Sequence, residues 1–461
     1  MLRLSEALAE NPGGRLDSDY FAKRALTVVA RITAQKNEPL GQLVERVQHP
    51  MELERIYSDA GIEIVLAQHI RDNRIEIVEP AFMPASAEPI LRDNRIENGD
   101  VVMTRSGANY GQSATWLDSR PVYACADLLV LRRPSCPSGY LSSFLASAPG
   151  KLLLDRGSYG AAQPHIAPTY LVGLRIPRFG KLEASIDRLV RQSAVLARDC
   201  IKHLTESEAT LAAALGLGNW QPPEPLTYIR RASEAFAAGR LDAQYFTPRV
   251  TELLTRLGKG GRTVRDVAPP RSEKFAAVGA GHFRYIEISD VRNDGTATSE
   301  TIPISEAPSR ATSHVRAGDV LTSTVRPNRR LSALILPEQD GCVASSGFVV
   351  LTPQAVPAEV LLTYLRLPLF CELMDLHTSA SLYPAISDRD LLALPFPTIP
   401  AKAGNTIVAA VRSAHTARQR AQALLVAAQR AVEIAIEDSE AAALAHLRQH
   451  SETQSVSAKE M

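Results

Sequence analysis

Cysteine is scarce in this chain of 461 residues, and long apolar runs are missing. The five cysteines are scattered and none belongs to a C-x-x-C pair, which favours reduced thiols in a cytoplasmic protein. No apolar run approaches the roughly 20 residues that cross a bilayer. The first residues lack the long apolar stretch of a secretory signal. We therefore expect a cytoplasmic protein that does not insert into a membrane.

An excess of charge is also missing. The chain has 51 Lys and Arg against 50 Asp and Glu, for a net charge of +1. This balance excludes a protein whose entire surface is basic and binds nucleic acid without a defined face. Any DNA-binding face has to be a local concentration of Arg and Lys.

Catalytic signatures are missing too. The Gly-Lys pair at 150–151 is followed by leucine, and the glycines at 258–261 lack dinucleotide-binding spacing. The Pro-Pro at 222–223 lacks the flanking Asp or Asn and the aromatic residue of an adenine methyltransferase. No H-E-x-x-H occurs, and the ten histidines do not cluster with acids at metal spacing. These absences are weak evidence alone, but together with the duplicated architecture described next they favour a protein that is not an enzyme and that binds no metal or cofactor itself.

What the chain does have is an internal repeat. Residues 15–21, Arg-Leu-Asp-Ser-Asp-Tyr-Phe, return 225 positions later as residues 240–246, Arg-Leu-Asp-Ala-Gln-Tyr-Phe. Further matches keep an offset of 219 to 221: 99–102 with 318–321, 123–131 with 343–351, 141–145 with 361–365, 164–166 with 384–386, 176–177 with 396–397, and 186–191 with 407–412. A nearly fixed offset is the signature of duplication. The chain is predicted to be two copies of one unit.

Each copy begins with a mixed domain. Apolar spacing predicts helices over 19–36 and 140–154, the second amphipathic, and a short helical segment over 230–238. Short β-like runs separated by turn residues predict strands at 61–66, 100–104, 128–131, 283–288, 319–322 and 348–351, with an Asp-Gly turn ending at 295. Each mixed domain is therefore predicted to be compact, with a β core.

Each mixed domain is followed by a long helix. In the first, apolar residues step by 3 and 4 from Leu182 to Cys200, slip by one position to Ile201, and continue to Leu215. In the second, predicted over about 403–449, steps of 4 and 3 run without a break from Ile407 to Ala435, with many alanines. Such spacing predicts coiled-coil seams, and burying the two stripes against each other is the simplest arrangement.

The predicted fold class is α+β. It has two tandem repeats, each a mixed α/β domain followed by a long helix, and the two helices pair as an antiparallel coiled coil. The predicted boundaries are a lead-in at 1–14, a first domain at 15–178, a first spacer helix at 179–218, a linker at 219–239, a second domain at 240–398, a second spacer helix at 399–449 and a disordered tail at 450–461.

This organisation resembles the specificity (S) subunit of type I restriction-modification systems over almost the whole chain. The resemblance is carried by Arg-Leu-Asp-x-x-Tyr-Phe at each domain start and by the Gly-Asp segments 99–107 and 318–326. Tyr-Ile-Glu-Ile-Ser-Asp-Val at 285–291 and the Ile-Pro that precedes a long helix complete the set. The ordered set, found twice, is more specific than any one motif.

The resemblance implies a non-catalytic subunit of a phage-defence complex that reads double-stranded DNA. Each mixed domain would be a target recognition domain, and the helices would set their spacing and dock two methyltransferase (M) subunits. S-adenosylmethionine is expected on those partners, adenine N6 as the modified atom, and restriction (R) subunits as possible further partners. Proteins with two DNA-reading domains bind two half-sites, and the geometry of the protein sets the spacing between those half-sites.

The repeat also indicates where specificity lies, because the framework matches between copies and the loops do not. Arg, Asn and Gln suit base edges, and Arg and Lys suit phosphates. Unequal loops predict an asymmetric bipartite target. The candidate DNA-binding residues are Thr104, Arg105, Asn109, Tyr110, Ser158, Tyr159 and Gln163 in the first copy, and Arg326, Asn328, Arg329, Arg330, Ser379, Ser381 and Tyr383 in the second.

Alternative roles stay open for these residues. Arg105, Asn109 and Tyr110 could equally form a solvated loop, and the segments 158–163 and 378–383 could be plain turns. We favour DNA contact for the denser basic cluster at 326–330.

Other residues have structural interpretations. The aromatic pairs at 20–21 and 245–246 are expected in the core, and Asp17 and Asp242 are expected to cap or to pair with the nearby Arg. Arg418 either fixes the helix register as a seam polar residue or extends its stem to solvent.

Two other functions remain alternatives. One is a tandem binding module for another ligand, such as protein or carbohydrate, or for a related defence complex on the same scaffold. The other is a standalone nuclease or methyltransferase, which would turn over DNA without partners.

Overall fold

The computed structural model of the chain describes residues 15, 17–18, 20–52, 54, 56–77, 80–107, 109–160, 163–379 and 382–457, with side chains to residue 450. The predicted lead-in at 1–14 lies outside these residues. The chain divides into two compact units, of which unit 1 comprises Met1–Ala197 with Gln419–Met461 and unit 2 comprises Arg198–Arg418. Each unit therefore combines one mixed domain with one half of each long helix.

The mixed domain of unit 1 contains short helices and short strands. Its helices are α1 (Lys23–Thr33), α2 (Leu40–Leu43), α3 (Glu88–Leu91), α4 (Ser138–Ala146), α5 (Ala148–Gly157) and α6 (Pro168–Gly173), followed by the long helix α7 (Gly180–Ala214). Its strands are β1 (Asn37–Pro39), β2 (Arg46–Gln48), β3 (Ile62–Val65), β4 (Ile70–Arg71), β5 (Arg74–Ile75), β6 (Ala81–Met83), β7 (Arg95–Ile96), β8 (Val101–Thr104), β9 (Ser113–Thr115), β10 (Val122–Ala124), β11 (Leu128–Arg132), β12 (Ser158–Tyr159), β13 (His165–Ile166) and β14 (Arg175–Pro177).

The described part of unit 2 follows a similar order with fewer strands. Its helices are α8 (Ala232–Ala238), α9 (Pro248–Leu257), α10 (Val264–Val267), α11 (Ala358–Leu365), α12 (Pro368–Leu376) and α13 (Asp388–Ala393), followed by the long helix α14 (Ala401–Glu437), after which α15 (Glu440–Ser457) belongs to unit 1. Its strands are β15 (Arg262–Thr263), β16 (His282–Ile286), β17 (Glu300–Pro303), β18 (Ala311–His314), β19 (Val320–Ser323), β20 (Ser332–Leu334), β21 (Val343–Ser345), β22 (Phe348–Leu351), β23 (Thr378–Ser379), β24 (Ala385–Ile386) and β25 (Pro395–Phe396).

The sheets confirm the internal repeat. One sheet has the order β6-β3-β10-β7 in unit 1 and β17-β16-β21-β18 in unit 2. In both, the central pair is parallel and the outer pairs are antiparallel. The second sheet is β2-β11-β8-β9 in unit 1 and β20-β19-β22 in unit 2. The predicted strands are thus confirmed. The two domains share the strand order of the first sheet and a three-strand core of the second sheet, to which unit 1 adds β2 at one edge.

The predicted helix over 140–154 is instead two helices, α4 and α5. The chain is extended at Ser147, with ψ of 161°, and its hydroxyl accepts a hydrogen bond from the Gly150 amide at 3.3 Å. A serine hydroxyl in this position caps a new helix. Every residue of α4 is buried, so this part of the predicted helix is not amphipathic.

The long helices α7 and α14 pair in antiparallel fashion, as predicted. Within unit 1, the Ser193 hydroxyl of α7 donates to the Ala421 carbonyl of α14 at 2.8 Å, and the Leu182 amide of α7 donates to Glu440, the first residue of α15, at 3.1 Å. The partner number falls as the position along α7 rises, so the directions are opposite. In unit 2, buried Leu211 of α7 shares a core with Ile407 and Val411 of α14.

The predicted slip at Ile201 is wrong. Ile201 is 65% exposed, whereas Cys200, Ser207 and Leu211 are buried. Beyond Cys200, the buried seam continues at Ser207 and Leu211, with spacings of 7 and 4 residues. Ile201 is not part of this seam. Ile201 was assigned to the seam because it is apolar, but its side chain is exposed.

The second long helix breaks where the sequence predicted continuity. Residues 438–439 separate α14 from α15, and the Ser439 hydroxyl accepts from the Ala442 amide at 3.2 Å. Because this capping begins a new helix, the single helix predicted over about 403–449 is instead two helices. The sequence predicted a disordered tail from residue 450; over 450–457 the backbone is helical, and residues 458–461 lie outside the described ranges.

Candidate nucleic-acid interface

The candidate residues gather where a loop meets a hairpin, once in each unit. Exit loop 1 (residues 105–111) follows β8, and hairpin 1 (residues 158–166) contains β12 and β13. Exit loop 2 (residues 324–330) follows β19, and hairpin 2 (residues 378–386) contains β23 and β24. The sequence predicted the four segments separately, and the structure joins them in pairs.

In unit 1 the junction is made by the backbone. Ser106 forms a β-bridge with His165, and the Ile166 amide donates to the Arg105 carbonyl at 3.1 Å. The Arg105 amide donates in turn to the Asp127 carbonyl at 2.7 Å. Exit loop 1 is therefore held between hairpin 1 and the turn before β11.

Unit 2 repeats this junction. Val325 forms a β-bridge with Ala385, and the Ile386 amide donates to the Thr324 carbonyl at 3.0 Å. The Thr324 amide donates to the Gly347 carbonyl at 2.9 Å. The same bonds at an offset of 219 to 220 make the two junctions equivalent, so residue differences between them can be compared position by position.

The repeated Arg-Leu-Asp-x-x-Tyr-Phe motif supports each hairpin. Arg15 donates to the carbonyls of Arg156 and Ser158, at 3.0 and 2.6 Å. Arg240 donates to the Leu376 carbonyl at 2.7 Å. Both contacts lie where the chain enters the hairpin. The sequence suggested that the acids pair with the arginines, but it missed this role of the arginines.

The acids of the motif hold these arginines. Asp17 pairs with Arg15 at 2.7 Å, and Asp242 pairs with Arg240 at 2.7 Å. Each carboxylate also accepts from the amide three residues on. Hydrogen bonding from the arginine keeps the pKa of both carboxyls below its usual value. The expectation that these acids cap and pair is confirmed.

The aromatic residues of the motif lie against the arginines. Tyr20 is buried as predicted, whereas Phe21, Tyr245 and Phe246 are half-buried. The guanidinium of Arg240 lies 4.4 Å from the centre of the Tyr245 ring, and that of Arg15 lies 5.3 Å from that of Tyr20. These rings pack the base of each hairpin. Leu16 and Asp19 of the first motif lie outside the described residues.

The two exit loops turn through left-handed backbone at the same two positions. In exit loop 1 these are Gly107 and Gly111, with φ of 90° and 77°. In exit loop 2 they are Arg326 and Arg330, with φ of 49° and 59°. A side chain in this conformation costs about 1–2 kcal/mol relative to glycine. Exit loop 2 therefore contains strain that exit loop 1 avoids.

The candidate DNA-binding residues in and before exit loop 1 differ in their exposure and in their hydrogen bonds. Thr104 is fully buried at the end of β8, so it lies beneath the surface. Asn109 is exposed. The Tyr110 hydroxyl donates to Asp155 at 2.7 Å. Burial, and then the hydrogen bond to Asp155, raise the pKa of Tyr110 above its usual value, so it stays a neutral donor.

Unit 1 also leaves buried polar atoms unsatisfied at the junction. Within the described residues, Thr104 Oγ1, Arg105 Nε and His165 Nδ1 are buried and have no hydrogen-bond partner. The equivalent unit 2 hydroxyls are satisfied, since Ser323 donates to the Val325 carbonyl and Thr324 to the Gly347 carbonyl. An unsatisfied buried polar group costs about 1–3 kcal/mol. An acceptor supplied by a bound molecule would recover that cost at Arg105.

Hairpin 1 offers a mostly exposed edge. Tyr159 is 47% exposed, its ring centre lies 5.8 Å from that of His165, and Gln163 is exposed. Ser158 is half-buried, and its hydroxyl donates to the Asp155 carbonyl. His165 was not among the sequence candidates. A signal existed, because it is the variable residue of the Pro-x-Ile segment that both copies share.

In unit 2, Arg326 connects exit loop 2 to hairpin 2. Its amide donates to the Pro384 carbonyl at 2.8 Å, and its guanidinium lies 5.0 Å from the centre of the Tyr383 ring. Tyr383 is 62% exposed and its neighbour Leu382, another residue not predicted, is 75% exposed. Asn328, Arg329 and Ser379 are also exposed. Ser381 lies outside the described residues.

Arg330 differs from the other candidates because its side chain points inward. It donates to the Arg366 carbonyl at 2.6 Å and forms an ion pair with Glu208 of α7. Its guanidinium is thus engaged within unit 2.

The described residues contain no gathered set of three or more His, Cys, Asp or Glu that could hold a metal ion. All five cysteines are buried, and none of them forms a disulfide. Burial raises the pKa of Cys136 to about 11 and that of Cys371 to about 12, which keeps both thiols protonated. None of the helices in the described ranges combines the length and the apolar character that crossing a bilayer requires.

Comparison with protein-family models gives no match, and comparison with curated proteins gives none. Among solved structures, the chain is similar to the type I restriction-modification S subunit from M. genitalium, with a TM-score of 0.39 and 12% identity over 86% of this chain and 94% of that chain. A chain from a structure of the type I R-M system, solved to describe complex assembly and conformational transition, has a TM-score of 0.27 and 17% identity over 90% and 97%.

The HsdS subunit from Thermoanaerobacter tengcongensis is similar with a TM-score of 0.25 and 16% identity over 90% of this chain and 96% of that chain. These similarities cover most of the chain at low TM-score and low identity. The function of the chain therefore has to be argued from its own residues.

Proposed function

We propose that this chain is the DNA-binding specificity subunit of a type I restriction-modification complex. The observation that carries the proposal is the repeated junction of exit loop and hairpin, built on one backbone plan and given different side chains in each unit. A repeated frame with unequal side chains suits the recognition of two unequal half-sites.

The side chains at the junctions have the chemistry of base and phosphate recognition. Arg326 and Arg329 can contact guanine or phosphates, and Asn109 and Asn328 can pair with adenine. The exposed rings of Tyr159 and Tyr383 can pack against the sugar-phosphate backbone. The unsatisfied Arg105 Nε would gain an acceptor from a bound base or phosphate. Thr104 is buried and Arg330 is engaged within the protein, so the proposal does not depend on either of them.

The partners follow from the same proposal. The paired helices α7 and α14 would set the spacing of the half-sites and dock two methyltransferase subunits, with restriction subunits as a possible addition. S-adenosylmethionine would bind to the methyltransferases, where an adenine N6 would be modified. The chain itself would read DNA without catalysing a reaction.

Co-purification tests this proposal directly. The chain is isolated from its native cells, and the native mass of the complex is measured. Two adenine methyltransferase subunits per chain are expected. Sequencing of modified bases in the same cells should give one bipartite, asymmetric target. A chain that runs alone, or with an unrelated partner, would contradict the proposal.

The runner-up function is a tandem binder of a ligand other than DNA. The salt dependence of binding distinguishes the two functions, because each contact to a DNA phosphate makes the affinity fall as the salt concentration rises. The specificity subunit is expected to show a steep fall. An affinity that salt leaves unchanged would favour the runner-up.

A further inference from the structure

Arg330 ties exit loop 2 to the long helix α7. Its Nε donates to the Arg366 carbonyl at 2.6 Å, and its Nη2 donates to Glu208 Oε1. The Glu208 side chain is partly buried, as is that of Arg330. An ion pair that is partly removed from water is screened less than a surface pair. The contact joins two positions that lie 122 residues apart in the chain.

The tie continues to the second long helix. Arg366, which is buried, donates to the Arg330 carbonyl at 3.0 Å and to the Asn293 carbonyl. The next residue, Asp294, pairs with Arg418 of α14 at 2.9 Å, and both of these side chains are nearly buried. Within unit 2, the parts of α7 and α14 are thus both linked to exit loop 2 through charged groups.

The pKa values agree with a connected set of charges. Burial, and then the neighbouring Arg330, lower the pKa of Arg366, whereas Glu208 and Asp294 oppose the shift. Burial raises the pKa of Asp294, but Arg418 and the Thr296 hydrogen bonds outweigh it and hold the value below the usual one.

Unit 1 has no counterpart to these charges at the equivalent positions. Gly111 stands in place of Arg330, Ala146 in place of Arg366 and Ala197 in place of Arg418. Glycine suits the left-handed backbone at this position, whereas Arg330 adopts it with φ of 59°. Strain of this kind persists only where the surroundings hold it, and here the holding contacts reach the long helices.

We propose that Arg330 is a positioning residue that acts through Glu208: it fixes exit loop 2 on helix α7 and so sets the base preference of unit 2 without contacting DNA itself. This inference rests on the proposed function. Bidentate contacts to base edges depend on the direction of the side chains. Phosphate attraction is less directional, so a loosened loop loses discrimination before it loses general affinity.

The test uses the full chain with its methyltransferase partners and the target duplex found by modified-base sequencing. Three variants are compared, Glu208→Gln, Arg330→Gly and the double variant. Glu208→Gln keeps the shape of the side chain and leaves Arg330 in place. Arg330→Gly installs the residue that unit 1 has at the same position. The matched control is Glu206→Gln, which removes an exposed charge from the same helix.

Each single variant is expected to lose about tenfold in discrimination between the target and a duplex altered in the half-site of unit 2. The double variant should lose no more than either single variant, because both remove one tie. Discrimination at the half-site of unit 1 should stay as in the unaltered complex. Hydrogen exchange of the folded Glu208→Gln chain should be faster over residues 324–331, a result that does not depend on DNA.

Other outcomes overturn the inference. If Arg330 contacts phosphate, Arg330→Gly should weaken binding to every sequence and reduce the salt slope by about 1, while Glu208→Gln should bind at least as tightly as the unaltered chain. Full discrimination and unchanged exchange in Glu208→Gln would also overturn it. If the unaltered complex prefers no sequence, the proposed function fails as well, and that result is distinct from failure of the variants alone.

Discussion

Exit loop 1 turns on two glycines, whereas exit loop 2 turns on two arginines at the same positions. Around exit loop 1, the described residues leave polar atoms unsatisfied at Arg105 and His165. Around exit loop 2 the hydroxyls are satisfied and charged groups tie the loop to the long helices. One backbone plan thus supports a loop with unsatisfied buried side-chain atoms around it and a loop that is strained and held by charged groups. The difference teaches that a duplicated scaffold can diverge through the side chains that hold its loops.

The largest expected effect comes from breaking the ties of unit 2. Arg418→Ala would leave Asp294 charged and nearly buried without its partner, which should cost about 3 kcal/mol. Hydrogen exchange should show faster opening of α11 and α12 and little change in α4 and α5 of unit 1. Arg430→Ala, which removes an exposed arginine of α14, is the matched control. Equal destabilisation of both units would contradict the comparison.

The next effect concerns the unsatisfied arginine of unit 1. Arg105→Met keeps the apolar stem and removes the unsatisfied Nε. The free energy of unfolding should stay level or rise slightly, while affinity for the target should fall by about 1–2 kcal/mol. Denaturant unfolding and duplex titration measure the two quantities. Arg120→Met, at an exposed arginine of unit 1 paired with Glu63, is the control. A clear loss of stability in Arg105→Met would show that Arg105 has a structural partner.

A smaller effect separates the two kinds of turn. Gly107→Ala adds a methyl group that meets nothing within 4 Å, so its cost should be the left-handed backbone alone, about 1 kcal/mol. Arg326→Gly removes the same strain from exit loop 2, at the loss of the contact with Tyr383. Thermal unfolding should therefore lower the melting temperature for the first variant and change it little for the second. The same loss in both would indicate that strain does not distinguish the loops.

The smallest effect is a dependence of unit 2 on pH. Burial lowers the pKa of His415 and His377 below 6.5, with Arg240 adding to the shift at His377. Since the unfolded chain then binds more protons, this stability is present above pH 6.5 and is lost as the pH falls toward the folded values. Urea unfolding on either side of pH 6.5, with His415→Gln as control, measures this loss. A free energy of unfolding that rises as the pH falls below 6.5 would contradict this prediction.

Much of the fold could be predicted because its strands are short apolar runs between turn residues. The runs at 100–104 and 128–131 became β8 and β11, and their repeats became β19 and β22. The breaks could not be predicted from periodicity. Ser147 and Ser439 each begin a new helix, because the serine hydroxyl accepts a hydrogen bond from an amide three residues later. Apolar spacing carries no signal for such a cap.

The candidate site could be predicted only in pieces. The repeat located the exit loops and hairpins, because framework matches bracket them. The inward direction of Arg330 could not be predicted, since Glu208 lies far away in sequence on a different element. The burial of Thr104 was missed for a similar reason, because it follows from packing around β8. The sequence left open whether Arg418, a polar residue in the helix seam, fixes the register or extends to solvent. The structure shows that Arg418 pairs with Asp294 in the turn at 293–295.

The most direct test of two independent readers uses a matched pair of exposed residues, Asn109 and Asn328, which occupy the same position in the two exit loops. Cells carrying Asn109→Ala or Asn328→Ala are compared by sequencing of modified bases. Each variant should relax one block of the bipartite target and leave the other block unchanged, with different blocks affected in the two variants. Changes in the same block, or in neither block, would contradict the account.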